Sequence, residues 1–464
     1  MISVKNNDTL LKQQFAETLS TIIADRVNDL IHHGIAIAYS GGLDSAVLLS
    51  LVAEFCREKD IPVFAFHIHH GLSPNADSWL EHCKLVCEQA NICFEAKEVY
   101  VSKEAKDGIE SAARTSRYSA LGKLCSHYQL PLILTAHHQD DQAETLLLQL
   151  LRGSGVSGLS GMDPFNHAPA LLGTNDVLLA RPLLGQTKNA LLSYAEKNAI
   201  KYIEDESNFD LRYVRNALRH EVMPVLSKIS QNYTVCLARS AQHLQAANRL
   251  LLELAQLDLI KCKQDDALDI EKMRQIGNDR VNNLLRFWFS SLGVRMPSTA
   301  RLAEMRSQLF DARDDAQVTI YHDQLAIHRY KNKIYAASIP SKEHASIDPV
   351  EFFWSGEDVI YFPAFSGSLH FESATYGVTD DWLKQQKLSL RMREGGERLK
   401  LAPNRSTRDI KSHFQSLKIP FWQRERLPFL HVKNQLLHAA WVGTNAELCQ
   451  VDANKLVNFR WQAD

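Results

Sequence analysis

Between residues 35 and 136, four short apolar runs at 35–39, 63–68, 93–99 and 132–136 are separated by stretches long enough for helices. Two of those stretches, 78–90 and 109–127, carry apolar residues at helical spacing. This alternation restricts the fold more than any other feature of the chain. Strands joined by crossover helices pair in parallel, and a parallel sheet needs helices on both faces. The expectation for the first 225 or so residues is therefore an α/β domain. Ligands in such sheets sit beyond the carboxyl ends of the strands. The glycine loop at 40–42, the stretch at 67–71 and the stretch at 137–141 all follow strands and should share one crevice.

After Pro224 the pattern changes. Residues 231–262 and 279–292 read as amphipathic helices, and Ser298 reads as the N-cap of another. β-like stretches follow at 317–337 and 357–372, and alternating apolar residues return near 429–442. The expected division is 1–225 for the α/β domain, 226–340 for a mostly helical domain, and 341–464 for a small basic α+β domain with its core at 385–460.

The formal charge of −2 argues for no polyanion partner when averaged over the chain, but its distribution does. From Lys384 to Lys433 there are thirteen Lys or Arg against four Asp or Glu. A near-neutral chain with one basic segment presents one surface suited to a polyanion. No apolar run approaches the roughly 18 residues of a membrane span, and the opening MISVKNNDTLLKQQ lacks the layout of a signal peptide. A cytoplasmic enzyme with no membrane partner is expected. The eight cysteines include no CxxC pair, a spacing that does not advertise a zinc or iron–sulfur site, so free thiols are expected.

The sharpest chemical signal is AYSGGLDSAVLL at 38–49. A strand runs into a glycine turn and then a helix, the arrangement that binds phosphates through free N–H groups and the helix dipole. It matches neither the Walker loop nor the dinucleotide fingerprint. Gly41 and Gly42 let backbone approach a phosphate chain closely, and Ser40 and Ser45, flanking Leu43, add hydroxyl donors. Asp44 would repel phosphate unless Mg²⁺ lies between them. With no Walker lysine to grip a transferring γ-phosphoryl, the loop suits pyrophosphate as leaving group, and so attack at the α-phosphate of ATP. The bland alternative is a plain glycine turn.

SGGLDS resembles the pyrophosphate-loop (PP-loop) signature of the N-type ATP pyrophosphatases, whose fold is adenine nucleotide alpha hydrolase-like. HIHHGL at 67–72, SAARTSRY at 111–118, HHQDDQAET at 137–145, RGSGVSGL at 152–159, RPLL at 181–184, IEDESN at 203–208 and RNALR at 215–219 follow in order. Together with LKIPFWQRERLP at 417–428 they resemble the tRNA(Ile)-lysidine synthetase family over most of the chain. The resemblance implies an ATP-dependent ligase. It would adenylate the C2 oxygen of the wobble cytidine in a CAU-anticodon isoleucine tRNA, and free L-lysine would then displace AMP.

A lysine substrate arrives as an ammonium ion, which makes Asp141, with Asp140 and Glu144 beside it, candidates to hold it; helix N-capping is the bland reading. The resemblance favours contact of Arg114 with ATP or substrate, against a surface salt bridge. His67 is expected to border the adenosine. Arg212, Arg215 and Arg219 recur at helical spacing and could line the path of the tRNA or form a solvated basic face. In the basic segment Arg405, Arg408 and Lys411 are expected to contact tRNA, with Phe421 and Trp422 offering flat surfaces beside Arg424 and Arg426. The histidines at 67, 69, 70, 137 and 138 also admit a metal-dependent phosphohydrolase, which leaves SGGLDS unexplained. A cytidine-thiolating enzyme would need the paired cysteines that CKLVC does not supply. Monomer and homodimer are both compatible with the sequence.

Overall fold

The computed structural model describes residues 3–24, 27–71, 73–100, 109–313, 316–339 and 347–463. Leu72 of the HIHHGL stretch and the expected boundary at 340/341 lie outside the described residues. The chain divides into two compact units, Met1–Leu254 and Ala255–Asp464, so the expected 225/226 boundary falls within the first.

The first unit is built on a six-stranded sheet. Its strands are β1 (Ile35–Ala38), β2 (Val63–His69), β3 (Cys93–Glu98), β4 (Leu132–Leu134), β5 (Phe165–His167) and β6 (Leu178–Ala180). Their order is β3-β2-β1-β4-β6-β5, all parallel except β5, which pairs antiparallel with β6. Alternate residues serve opposite faces. Ile35, Ile37, Leu132 and Leu134 pack with Phe15, Val47 and Leu51 on one side. Ala36, Ile133 and Leu179 pack with Tyr118, Leu121 and Leu124 on the other. Burial on both faces is what makes these strands read as continuous apolar runs. From β1 the chain winds outward through β2 and β3, then crosses back to place β4 on the other side of β1. The order reverses between β1 and β4, and the crevice beyond their carboxyl ends is the binding position of such a sheet.

The sheet is parallel as expected apart from its edge strand β5, which runs antiparallel. Its three residues, Phe-Asn-His, are too few and too polar to register as a strand. In the second unit the helices Asn278–Ser291 and Thr299–Phe310 pack with a five-stranded antiparallel sheet. Three of its strands, Val318–His322, Leu325–Tyr330 and Lys333–Ser338, fall in the β-like stretch expected at 317–337, while the short Lys263–Gln264 and Ala267–Asp269 did not stand out in the sequence. Ser298 does cap its helix, accepting from Arg301 N–H at 3.2 Å. Residues beyond 347 form antiparallel sheets, including the long pairing of Gly367–Thr379 with Gln450–Ala463.

Candidate active site

The loop after β1 has the backbone that its glycines allow. Gly41 has φ +84°, and a Cβ there would lie 2.7 Å from Cys83 Sγ and 2.9 Å from Ile203 Cδ1. The close approach has a purpose: Ile203 N–H donates to Gly41 O at 2.9 Å, and Gly42 bridges Ile203 in parallel. The IEDESN stretch is thereby fastened to the loop. Gly42 is the N-cap of helix Leu43–Arg57, and no side chain caps that end. Its first N–H groups are left for an anion. Ser45 Oγ donates to Gly42 O at 3.0 Å and lies 3.1 Å from Ser40 Oγ. Asp44 stands in the first helical turn, and its buried Oδ1 has no hydrogen-bond partner.

The turn after β4 faces this loop. His138 is the N-cap of helix Gln139–Leu151 in a reciprocal capping box. Its N–H donates to Asp141 Oδ2 at 3.1 Å, and Asp141 N–H donates to its Nδ1 at 3.4 Å. Its Nε2 lies 3.6 Å from Asp44 Oδ2 and 3.5 Å from Asp141 Oδ2. Asp140 Oδ2 accepts from Lys188 N–H at 2.9 Å, so Asp140 supports the start of helix Lys188–Lys197. Burial disfavours a charged His138, but the carboxylates of Asp141, Asp44 and Asp140 outweigh it and raise its pKa.

Asp141 and Glu144 meet two arginines. Arg215 donates to Glu144 at 2.7 Å and to Asp141 at 3.1 Å. Arg219 donates to Glu144 at 2.6 and 2.9 Å and reaches Asp141 at 3.5 Å. These arginines come from the turn Val214–Ala217 and the π-helical turn Leu218–Val222 that follows it. Their helical spacing therefore serves a buried cluster, whereas Arg212 stays exposed and pairs with Asp210. Burial alone would raise the Asp141 pKa. The charges of His138, Arg215 and His137, with the His138 N–H, hold it well below the usual carboxylate range.

A cavity of about 600 Å³ opens between these elements. Ser40, Gly42, Leu43, Asp44, Ser45, His67 and Asp141 all line it, as do Arg117, Tyr118 and Arg219. Burial lowers the pKa of His67, and the neutral ring sits 3.0 Å from Tyr39 O; donation from Nδ1 leaves Nε2 as an acceptor. His137, 2.9 Å from Thr135 Oγ1, is pushed down to about 3 by burial, with Arg181, Arg114 and Arg215 adding to the effect. Arg114 stacks over Tyr118 at 4.9 Å. Arg114, Asp140, Glu144 and Arg215 are not in the cavity wall; they flank the residues that are. Glu144 is 1% exposed, so an incoming ammonium would first have to displace an arginine from it.

Sequence reasoning considered His138 only as a metal ligand and missed its capping role, and it missed the inward turn of Arg219. The N-cap rule looks for Ser, Thr, Asp or Asn, so a histidine in that position does not read as a cap. Among the described residues no group of three or more His, Cys, Asp or Glu is arranged to hold a metal ion. The cysteines are free, and burial pushes Cys83 and Cys87 up to about 12.

In the second unit Arg405, Arg408 and Lys411 are exposed. The neighbouring aromatics are partly engaged within the unit. Trp422 stacks on His328 at 4.1 Å and 5°, and Arg424 donates to Ile419 O at 2.7 Å, while Phe421, Trp422 and Arg426 also line a cavity of about 530 Å³. Their apolar bodies are better buried in the unit's own packing than left in water.

Three family models match along the chain. They are a PP-loop domain at residues 11–226, a TilS substrate binding domain at 268–335 and a TilS substrate C-terminal domain at 388–461. The tRNA(Ile)-lysidine synthase of Coxiella burnetii is 37% identical over 401 residues, covering 86% of this chain and 87% of that protein. That of Burkholderia pseudomallei is 38% identical over 442 residues, covering 89% of each. The Serratia proteamaculans enzyme is 36% identical over 414 residues, covering 88% of this chain and 91% of its own. With relatives this similar along nearly their whole length, and with a glycine loop, capping turn and arginine pair meeting at one cavity, the chain belongs to the tRNA(Ile)-lysidine synthase family.

Proposed function

We propose that this chain is a tRNA(Ile)-lysidine synthase: it adenylates the C2 oxygen of the wobble cytidine of a CAU-anticodon isoleucine tRNA with ATP and then joins L-lysine to C2. The observation that carries this reading is the cavity at which the uncapped helix of SGGLDS meets Asp141 and Arg219. The loop N–H groups and the Ser40 and Ser45 hydroxyls hold the phosphates. The cytidine oxygen attacks the α-phosphorus, the bond to the bridging oxygen breaks and pyrophosphate leaves. The deprotonated lysine ε-amine then attacks C2, and AMP leaves with the oxygen. Asp141 stays anionic at neutral pH, so it serves as a counter-charge for the arriving ammonium rather than as its base. His67 borders the adenosine and Arg114 supports the substrate side through Tyr118.

The donor set fits Mg²⁺. Asp44 Oδ1 is a buried acceptor without a partner, and Mg²⁺ is usually held by one or two carboxylates together with substrate phosphates. When bound it would neutralise charge on the departing pyrophosphate. The exposed Arg405, Arg408 and Lys411 dock the tRNA body. The enzyme is proposed to act in the cytoplasm, where its tRNA substrate is; no described helix is long and apolar enough to cross a membrane. The test is incubation with ATP, radiolabelled lysine and the tRNA transcript. Label should enter the tRNA with equimolar AMP and pyrophosphate. ADP formation, or labelling that survives replacement of the wobble cytidine, would refute the reading.

A further inference from the structure

We propose that His138 is a positioning residue that presents Asp44 to the cation, tying the glycine loop to the turn after β4; this rests on the adenylating function above. Three carboxylates surround its ring: Asp44 Oδ2 at 3.6 Å, Asp141 Oδ2 at 3.5 Å and Asp140 Oδ2 at 3.7 Å. These distances are too long for hydrogen bonds. With Nδ1 accepting from Asp141 N–H, the ring proton is on Nε2, and this positive edge of a ring that is 1% exposed lies between Asp44 and Asp141. Asp44 and Asp141 approach the same Nε2, so without the ring two carboxylates would face one another across the mouth of the crevice.

The same edge also selects which oxygen of Asp44 is left over. Oδ2 faces His138, while Oδ1 is buried and has no hydrogen-bond partner. A carboxylate turned this way by a neighbouring ring keeps one oxygen for a cation, as outer-shell partners of metal ligands do. The elements joined are helices Leu43–Arg57 and Gln139–Leu151, each of which begins beyond the carboxyl end of one of two adjacent strands, β1 and β4. His138 thus spans the reversal point of the sheet.

A purely structural role is the competing explanation, because the same ring caps a helix through Nδ1. The two ring nitrogens separate the alternatives. Asn reproduces the reach of Nδ1 and is a favoured N-cap, whereas Gln reproduces the reach of Nε2. The experiment measures the Mg²⁺ concentration needed for ATP binding, by calorimetry without tRNA or lysine, alongside the melting temperature. His138→Asn should melt close to wild type and need about ten- to a hundredfold more Mg²⁺, the usual cost of losing an outer-shell partner. His138→Gln should melt lower yet bind Mg²⁺ and ATP more nearly as wild type does. Wild-type Mg²⁺ dependence in His138→Asn, or His138→Gln no better than His138→Asn, would overturn the proposal. Wild-type protein with no Mg²⁺-dependent ATP binding would instead overturn the adenylation reading and this inference with it.

Discussion

Replacing Glu144 with Gln keeps its volume and removes its charge. In the folded chain Glu144 is 1% exposed and accepts three short hydrogen bonds, from Arg215 Nε at 2.7 Å and from Arg219 at 2.6 and 2.9 Å. The amide keeps one acceptor and turns two N–H groups toward guanidinium donors. Breaking a buried ion pair by neutralising one partner costs about 3–5 kcal/mol, because the other charge stays buried. Here the arginines are 24% and 25% exposed and still hold Asp141 at 3.1 and 3.5 Å. Partial solvation and the remaining carboxylate place the loss near the lower limit, about 3 kcal/mol. For a unit of this size that is a fall of roughly 6–12 °C in melting temperature. Calorimetry of the full chain at neutral pH reads it directly. Adding Arg219→Gln to Glu144→Gln should cost less than the two single losses together, since the second change removes a stranded donor. A fall below about 2 °C for Glu144→Gln, outside the range expected from the breaking of such a pair, would refute the reasoning. It would show that the arginines find other partners at no cost.

Three further outcomes are expected. Asp44→Asn should abolish AMP formation with ATP, lysine and tRNA while the circular dichroism spectrum and melting temperature stay near wild type; turnover at the wild-type rate would remove Asp44 from the site. Replacing Arg405, Arg408 and Lys411 with alanine should weaken tRNA binding and flatten its dependence on log salt, by about 0.7 to 0.9 for each phosphate that is no longer neutralised. ATP affinity should not move, and an unchanged salt slope would mean a merely solvated surface. In the second unit His438 is buried with Nε2 unpartnered, and burial pushes it down to about 3. A histidine held neutral in the fold but protonated when unfolded contributes stability above its unfolded pKa of about 6.5, lost progressively as pH falls toward the folded value. His438→Leu should therefore flatten the decline in stability between neutral pH and pH 4 in urea titrations, and an identical slope would show that the ring titrates normally.

The layered sheet could be read from the chain because strands covered on both faces are apolar throughout, and the 35–39 and 132–136 runs have no polar face to disguise them. Strand β5 and the terminal strand Gln450–Ala463 were not foreseen. The first is three residues long, and the second interleaves Asn, Lys and Arg with its apolar residues. The glycine loop announced itself because few other arrangements place two glycines, two serines and an aspartate between a strand and a helix. The partners of Glu144 did not. Arg215 and Arg219 lie 71 and 75 residues away, and their four-residue spacing describes a buried face and a solvated face equally well. Ring stacking of Trp422 on His328 was hidden for the same reason: a basic, aromatic segment does not reveal which of its rings the unit's own packing will take.

The pairing of β1 with β4 sets Ala36 beside Ile133 and Ile37 beside Leu134, joining segments nearly a hundred residues apart. Contacts of such long sequence separation form late, because the loop between them must close before they return any free energy. During synthesis, then, the glycine loop leaves the ribosome early but has nothing to face. It waits first for β4, next for Ile203 to bridge Gly42, and last for Arg215 and Arg219 to reach Glu144. A chain interrupted before that point carries the phosphate loop without its opposing wall. The site is therefore complete only in a chain that extends at least as far as Arg219, close to the end of the first unit at Leu254.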